Sequence, residues 1–223
     1  MGNAIASSGV PRRELFITTR IWTGNSSRDK RVPSLQESLR KLRVEQVDLT
    51  LIHWPSPGNV APMAEYLGAL AEAQDQGLAR LIGVSNFTIA LLGEAIGILG
   101  APRIATNQVE ISPYLLNRML AAFAANPGIH LTSYMPLAYG KVLADPVLQD
   151  IALRRVATTA QVALVWALRR GHAVIPSSTK RENPQGNLKA QQLQLDDDEM
   201  ARIAALDRGE RLANPPALAP AWE

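Results

Sequence analysis

An α/β fold built on a parallel sheet is what this sequence predicts, on three observations. Short β-rich runs alternate with longer helical patterns along the chain. The helical stretches are long enough to serve as right-handed crossovers between parallel strands. With 223 residues, 47% of them hydrophobic, the chain can bury one sizeable core, so residues 1–223 are expected to form a single domain.

The elements follow in order. MGNAIASS reads as the tail of a helix, and Leu15–Thr19 is the first strand candidate. Pro33–Leu42 (PSLQESLRKL) sets Leu35, Leu39 and Leu42 on one face, at spacings of four and three. Val47–His53 is a buried strand that ends, with no glycine to mark a turn, on His53, Trp54 and Pro55. Then come helix Ala61–Asp75, strand Leu81–Ser85, helix Ile89–Leu99, strand Ile104–Val109, helix Leu115–Ala124 and strand His130–Tyr134. Thr158–Arg169 starts on a Thr cap and is apolar nearly all round; Ala173–Ile175 is the last strand. Asp196–Leu206 opens on an acidic run, which suits the positive end of a helix dipole. The closing RLANPPALAPAWE is Pro-rich yet apolar, and its Leu, Ala and Trp predict that it lies across something.

Composition narrows the function. Lys and Arg total 23 against 20 acids, and no dense basic block stands out, which argues against nucleic-acid binding. No cysteine is present, so disulfides and thiolate chemistry are excluded and a reducing cytoplasm is the natural setting. The three histidines, His53, His130 and His172, are far apart in sequence, so no metal site is expected. No run reaches the ~18 apolar residues of a membrane span, nor is there a signal peptide. A small molecule is therefore the expected partner, with neither nucleic acid nor membrane.

In parallel α/β architectures, open or closed, chemistry gathers at the carboxyl ends of the strands. Those ends carry Arg20 and Trp22; His53 and Trp54; Ser85 and Asn86; Gln108 and Glu110; Tyr134; and Ser177, Ser178, Thr179 and Lys180. Strand ends that served only packing would be less varied. Each has a plainer reading as well: His53 as a hydrogen-bonded strand terminus, Tyr134 as a packed ring, TKRE as a solvated charge run.

Six of these stretches, FITTRIW, DLTLIHWP, IGVSNF, ATNQVEISPYL, TSYMPLAYG and VIPSSTKRENPQGN, resemble the successive strand-end motifs of the aldo-keto reductase family, in unbroken order from about residue 4 to the C-terminus. Among its members the likeness is to bacterial 2,5-diketo-gluconate reductases of the B type, which also act as methylglyoxal reductases. The resemblance implies a (β/α)8 TIM barrel that binds NADPH at its mouth and reduces aldehydes and ketones, such as small dicarbonyls, by hydride transfer. It implies that His53 polarises the carbonyl and that Trp22 and Trp54 wall the substrate pocket. It gives Ser85, Asn86 and Gln108 the nicotinamide carboxamide, Tyr134 the stacking ring, Ser177, Ser178, Thr179 and Lys180 the 2′-phosphate, and Asn187 the adenine. Asn183 and Gly186 stand where many members carry an Arg and an acid.

Two departures shape the expectation. Arg20 stands where the family has the Lys that lowers the pKa of its proton-donating Tyr. Nothing resembles the family segment that carries that Tyr and its Asp, so the first βα unit and most of the second are absent and about six strands are expected. The alternative function is thus a catalytically impaired, truncated barrel that keeps only weak cofactor binding; were turnover normal, Tyr114 or a water would have to donate the proton. Family members are usually monomeric; here the first and last strands are expected to be free edges through which the chain self-associates.

Overall fold

The structure, a computed structural model, describes residues 1–25 and 28–222. Six strands, β1 Thr18–Ile21, β2 Val47–Ile52, β3 Ala79–Ser85, β4 Ile104–Glu110, β5 His130–Tyr134 and β6 Ala173–Ile175, form one sheet in the order of the chain. The pairs β1–β2, β2–β3 and β5–β6 are parallel. The α-helices are α1 Gly2–Ser7, α2 Arg28–Leu42, α3 Met63–Asp75, α4 Ile89–Leu99, α5 Arg118–Ala125, α6 Pro146–Arg154, α7 Thr159–Arg169, α8 Glu182–Leu188 and α9 Asp197–Ala204, with short 3-10 turns between elements. The alternation of strand and helix, and the parallel pairing, are those the sequence predicts. Among the described residues β1 and β6 are the two ends of the sheet order, as expected of the first and last strands.

The chain packs as two compact units. The first comprises Met1–Asn107, Ala125–Ile129 and Pro215–Glu223; the second comprises Gln108–Ala124 and His130–Asn214. In the first, Leu35 and Leu39 of α2 are buried, as are Leu67 and Leu70 of α3 and Leu49, Leu51 and Ile82 of the strands. In the second, α7 buries every residue from Val162 to Ala167, which is why its sequence is apolar all round. Its start is a capping box, with Thr158 and Gln161 each bonding the other's backbone N–H.

Some boundaries moved for identifiable reasons. The first strand begins at Thr18 rather than Leu15, because Arg12–Glu14 form a 3-10 turn and the Ile17 N–H is taken by the Asp48 carboxylate at 2.8 Å. Helix α2 starts five residues before Pro33 and carries that proline inside it. Helix α5 starts at Arg118 because Ser112 and Leu115 exchange backbone hydrogen bonds across a tight turn. Helix α6 lies where no helix is expected, although Asp145 caps it and Pro146 opens it, a known start signal. Helix α8 has poor helix-forming sequence, with Pro184 and Gly186 inside it, and Gln161 Nε2 donates to the Gly186 carbonyl.

No single helix among the described residues is long and apolar enough to cross a membrane. The bent pair α6 and α7 passes by composition, but its apolar residues, such as Leu148, Ile151 and Trp166, are buried in the protein.

One core residue runs against burial rules. Arg31 of α2 is buried, with Nε and one terminal nitrogen lacking hydrogen-bond partners, and its guanidinium stands 5.3 Å from the Tyr66 ring centroid. Burial lowers its pKa to about 10, so it stays charged at neutral pH. A buried charge without full pairing costs more than it returns. Arg31→Leu is therefore expected to raise stability by about 1–3 kcal/mol in chemical denaturation; a loss would mean that the stacking on Tyr66 outweighs desolvation.

Candidate active site

In the first unit the strand register sets the site. Ile21 pairs with Ile52, and Ile52 with Val84, so Trp22, His53 and Ser85 leave the sheet at one level. The His53 N–H donates to the Ile21 carbonyl at 3.1 Å and extends the ladder one residue past β2. The Trp22 and His53 rings meet edge to face with centroids 5.1 Å apart. His53 is half-buried, and burial first, then the nearby Arg20 charge, lowers its pKa to about 4. At neutral pH the imidazole is thus uncharged, with one N–H to donate and one nitrogen to accept.

Asn86 has φ of 64°, a left-handed conformation that Asn tolerates better than most residues. Its amide donates to the His53 carbonyl at 2.9 Å and to Ser85 Oγ at 3.2 Å, joining the ends of β2 and β3. The pair is held from behind by Asn107, fully buried in β4. Its Nδ2 donates to the Phe87 carbonyl at 2.8 Å and its Oδ1 accepts the Phe87 N–H at 3.4 Å. Trp54, the second expected pocket wall, turns to Trp222, with ring centroids 6.3 Å apart. The apolar tail does lie across something, and that something is an aromatic ring beside His53.

The second unit carries the other candidates. Gln108 is buried in β4, and Tyr134 ends β5 half-buried, its carbonyl accepting the Ile111 N–H. Ser177, Ser178, Thr179 and Lys180 are exposed in the segment that follows β6. Ser178 Oγ accepts the Lys180 N–H at 3.1 Å and the Asn183 amide at 2.9 Å, which folds the segment back on itself. Asn187 lies half-buried on α8.

The Tyr114 hydroxyl, which the sequence offers as a substitute proton donor, is already engaged within the second unit. The side chain is buried, its hydroxyl donates to Asp145 at 2.9 Å, and burial together with that carboxylate raises its pKa to about 12. Arg208 covers its ring at 3.7 Å from the centroid. No group of three or more His, Cys, Asp or Glu suited to a metal ion occurs among the described residues.

The aldo/keto reductase family model matches residues 1–208. The chain belongs to the aldo/keto reductase family. It is 59% identical over 223 residues to the methylglyoxal reductase DkgB of Escherichia coli O157:H7, covering 100% of this chain and 84% of that protein. It is 37% identical to the aldo/keto reductase slr0942 of Synechocystis, covering 95% of this chain and 73% of that protein. A crystal structure provisionally described as a 2,5-diketo-D-gluconic acid reductase B superposes with a TM-score of 0.95 at 43% identity, over 100% of this chain and 79% of that one. A mutant of Gox0644 in complex with NADPH matches with a TM-score of 0.88 at 34% identity, over 95% and 77%. The fold is thus of the aldo-keto reductase type, with six strands of the eight-stranded barrel present.

Sequence reasoning passed over Asn107. The available signal for Asn107 was an amide at the centre of a strand, because a buried amide must be answered by hydrogen bonds. Asn107→Ala leaves the Phe87 backbone groups unanswered and is expected to cost about 2–3 kcal/mol in denaturant unfolding. A change within about 0.5 kcal/mol would show that water replaces the clasp.

Acid should act through the histidines. His172 is buried, with Nε2 unpartnered, and burial, followed by the Arg170 charge, lowers its pKa from 6.5 to about 4. A depressed pKa in the folded state means that its stabilisation is complete above about pH 6.5 and lost as pH falls through 4. With solvent screening discounted, His172→Phe should remove about 1–2 kcal/mol of that slope, read from urea midpoints between pH 4 and 7.

Proposed function

We propose that this protein reduces aldehydes and ketones with NADPH, with methylglyoxal-like and diketo-gluconate-like dicarbonyls as the substrate class, in the cytoplasm. The observation that carries this is the level row of Trp22, His53 and Ser85–Asn86 at the carboxyl ends of three paired strands. The relatives named for methylglyoxal reduction, and the neighbour solved with NADPH, support the same reading.

The residues present fit the cofactor by their chemistry. A carboxamide needs donors and acceptors together, and the Ser85 hydroxyl with the Asn86 and Gln108 amides offers both. A ribose phosphate dianion needs hydroxyl donors and a cation, which Ser177, Ser178, Thr179 and Lys180 supply. In this reading Tyr134 stacks on the nicotinamide and Asn187 contacts the adenine. Bound there, the reduced dinucleotide supplies the hydride. His53, neutral above about pH 4, donates a hydrogen bond to the carbonyl oxygen and so polarises it. Burial first, and then the permanent positive charge of Arg20, keep the imidazole neutral. Trp22 and Trp54 exclude water from the reacting carbonyl.

A second reading, cofactor binding with impaired proton transfer, is favoured by the tyrosines. Tyr114 is committed to Asp145, and Tyr66 is buried in α3 with its pKa raised to about 12 by burial. Tyr139 is exposed on a turn after β5.

One experiment separates the readings. Titrating NADPH and NADH by tryptophan fluorescence should show tighter NADPH binding, and Lys180→Ala should abolish the preference at a cost of about 1.5–3 kcal/mol. Equal affinities in the parent chain would sink the phosphate assignment. Methylglyoxal-dependent NADPH oxidation is then measured on the same sample. Turnover ~10²-fold or more below that of the Escherichia coli relative would favour the second reading, since a positioned general acid contributes 10²–10⁴.

A further inference from the structure

Within the first unit, one carboxylate fastens the amino end of strand β1. The Asp48 side chain of β2 is only 15% exposed. Its Oδ2 accepts the Ile17 N–H at 2.8 Å and lies 2.9 Å from the Arg12 guanidinium. Arg12 also donates to the Leu15 and Gln46 carbonyls, each at 2.8 Å, and so ties the turn before β1 to the residue before β2. From the other side, Arg80 Nε of β3 lies 3.4 Å from Asp48 Oδ1. Thr18 pairs with Leu49 and Val47 with Ala79, so Ile17, Asp48 and Arg80 stand level across the three strands.

Strand β1 needs such a fastening. It is four residues long and, among the described residues, ends the sheet order, with β2 on one side. The backbone bonds of a ladder are the same in every register. A slip by one residue is opposed because it turns Ile17 and Ile21 to the wrong face. A slip by two keeps every face and only exchanges one β-branched side chain for another, Thr19 for Ile17 or Ile21. Such a slip would bring Arg20 or Gly24, instead of Trp22, level with His53. The Asp48 carboxylate tells these registers apart, because it takes the amide of one particular residue while Arg12 holds the turn just before it. Both contacts are charge-assisted, and so stronger than the neutral ladder bonds.

We propose that Asp48 is a positioning residue that fixes the register of β1 on β2 through the Ile17 amide and the Arg12 guanidinium, and so sets Trp22 beside His53. The link between the two ends is the paired strand itself, four residues in register from Thr18–Leu49 to Ile21–Ile52, followed by the His53 N–H on the Ile21 carbonyl. Asp48 touches neither substrate nor cofactor in this role.

The test loosens the amino end of β1 and reads the carboxyl end. Asp48→Ala deletes the acceptor, Asp48→Asn keeps an acceptor oxygen without the charge, and Arg12→Met removes the guanidinium and leaves Asp48 in place. In the full chain, followed by NMR, Asp48→Ala should make the His53 amide exchange at least ~10-fold faster, with the β3 amides unchanged. The proton–proton contacts between the Trp22 and His53 rings should weaken in the same variant, and the other two variants should fall between it and the parent. If Asp48→Ala does not fold, Asp48→Asn and Arg12→Met decide. A parent-like His53 amide, or parent-like Trp22–His53 contacts, in the deciding variants would overturn the proposal, even if the melting temperature falls, since Asp48 would then support stability without setting the register. Neither measurement needs turnover, so the outcome is independent of the carbonyl-reductase reading.

Discussion

The parallel register of β1, β2 and β3 is the constraint on which the first half of the site depends. Because Ile21, Ile52 and Val84 lie side by side, the three residues that follow them leave the sheet together. A slip of one residue would turn every side chain of a strand to its other face and scatter Trp22, His53 and Ser85. Gly83 protects that register: a Cβ there would stand 2.6 Å from the Thr106 carbonyl oxygen and 2.9 Å from a Leu51 methyl. The strands therefore come together only around a residue without a side chain.

From that register follows the electrostatics. His53 is held half out of water at the end of a buried strand, with Arg20 on the neighbouring strand two residues short of its level. Both influences oppose protonation. The result is a neutral imidazole over the whole physiological range, suited to donating a hydrogen bond rather than to carrying a proton. The same burial that tunes His53 acts on Tyr66 and Tyr114 in the opposite sense, since the phenolate is their charged form. The Tyr114–Asp145 bond also has a structural part: Asp145 caps α6, so one carboxylate joins a turn to a helix start.

Buried polar side chains fasten the loops in both units. Asn107 clasps Phe87 beside the strained Asn86, and Glu110, three residues on in the same strand, clasps Leu212 and Ala213. Each answers backbone groups that the sheet and helices leave unpaired, which is the condition for burying irregular backbone at all. Arg31 is the contrast, a buried charge with two nitrogens unanswered.

Sequence by itself determined the order of the strands, the parallel α/β class and the residue types at the strand ends. These are local signals: hydrophobic period, caps, and polar groups placed where an apolar run stops. They located β5 and α4 to the residue, and they placed His53, Ser85 and Asn86 at strand ends. Only the tertiary structure decided what those residues touch. Glu110 and Ala213 are 103 positions apart, and Tyr114 and Asp145 are 31 apart, so neither bond leaves a local pattern to read. Helix α8 is the same lesson in backbone form, since its Pro and Gly predict a loop and its packing against α7 makes a helix. Propensity and periodicity act over a few residues, whereas hydrogen bonds that satisfy buried groups act wherever the fold brings a donor to an acceptor.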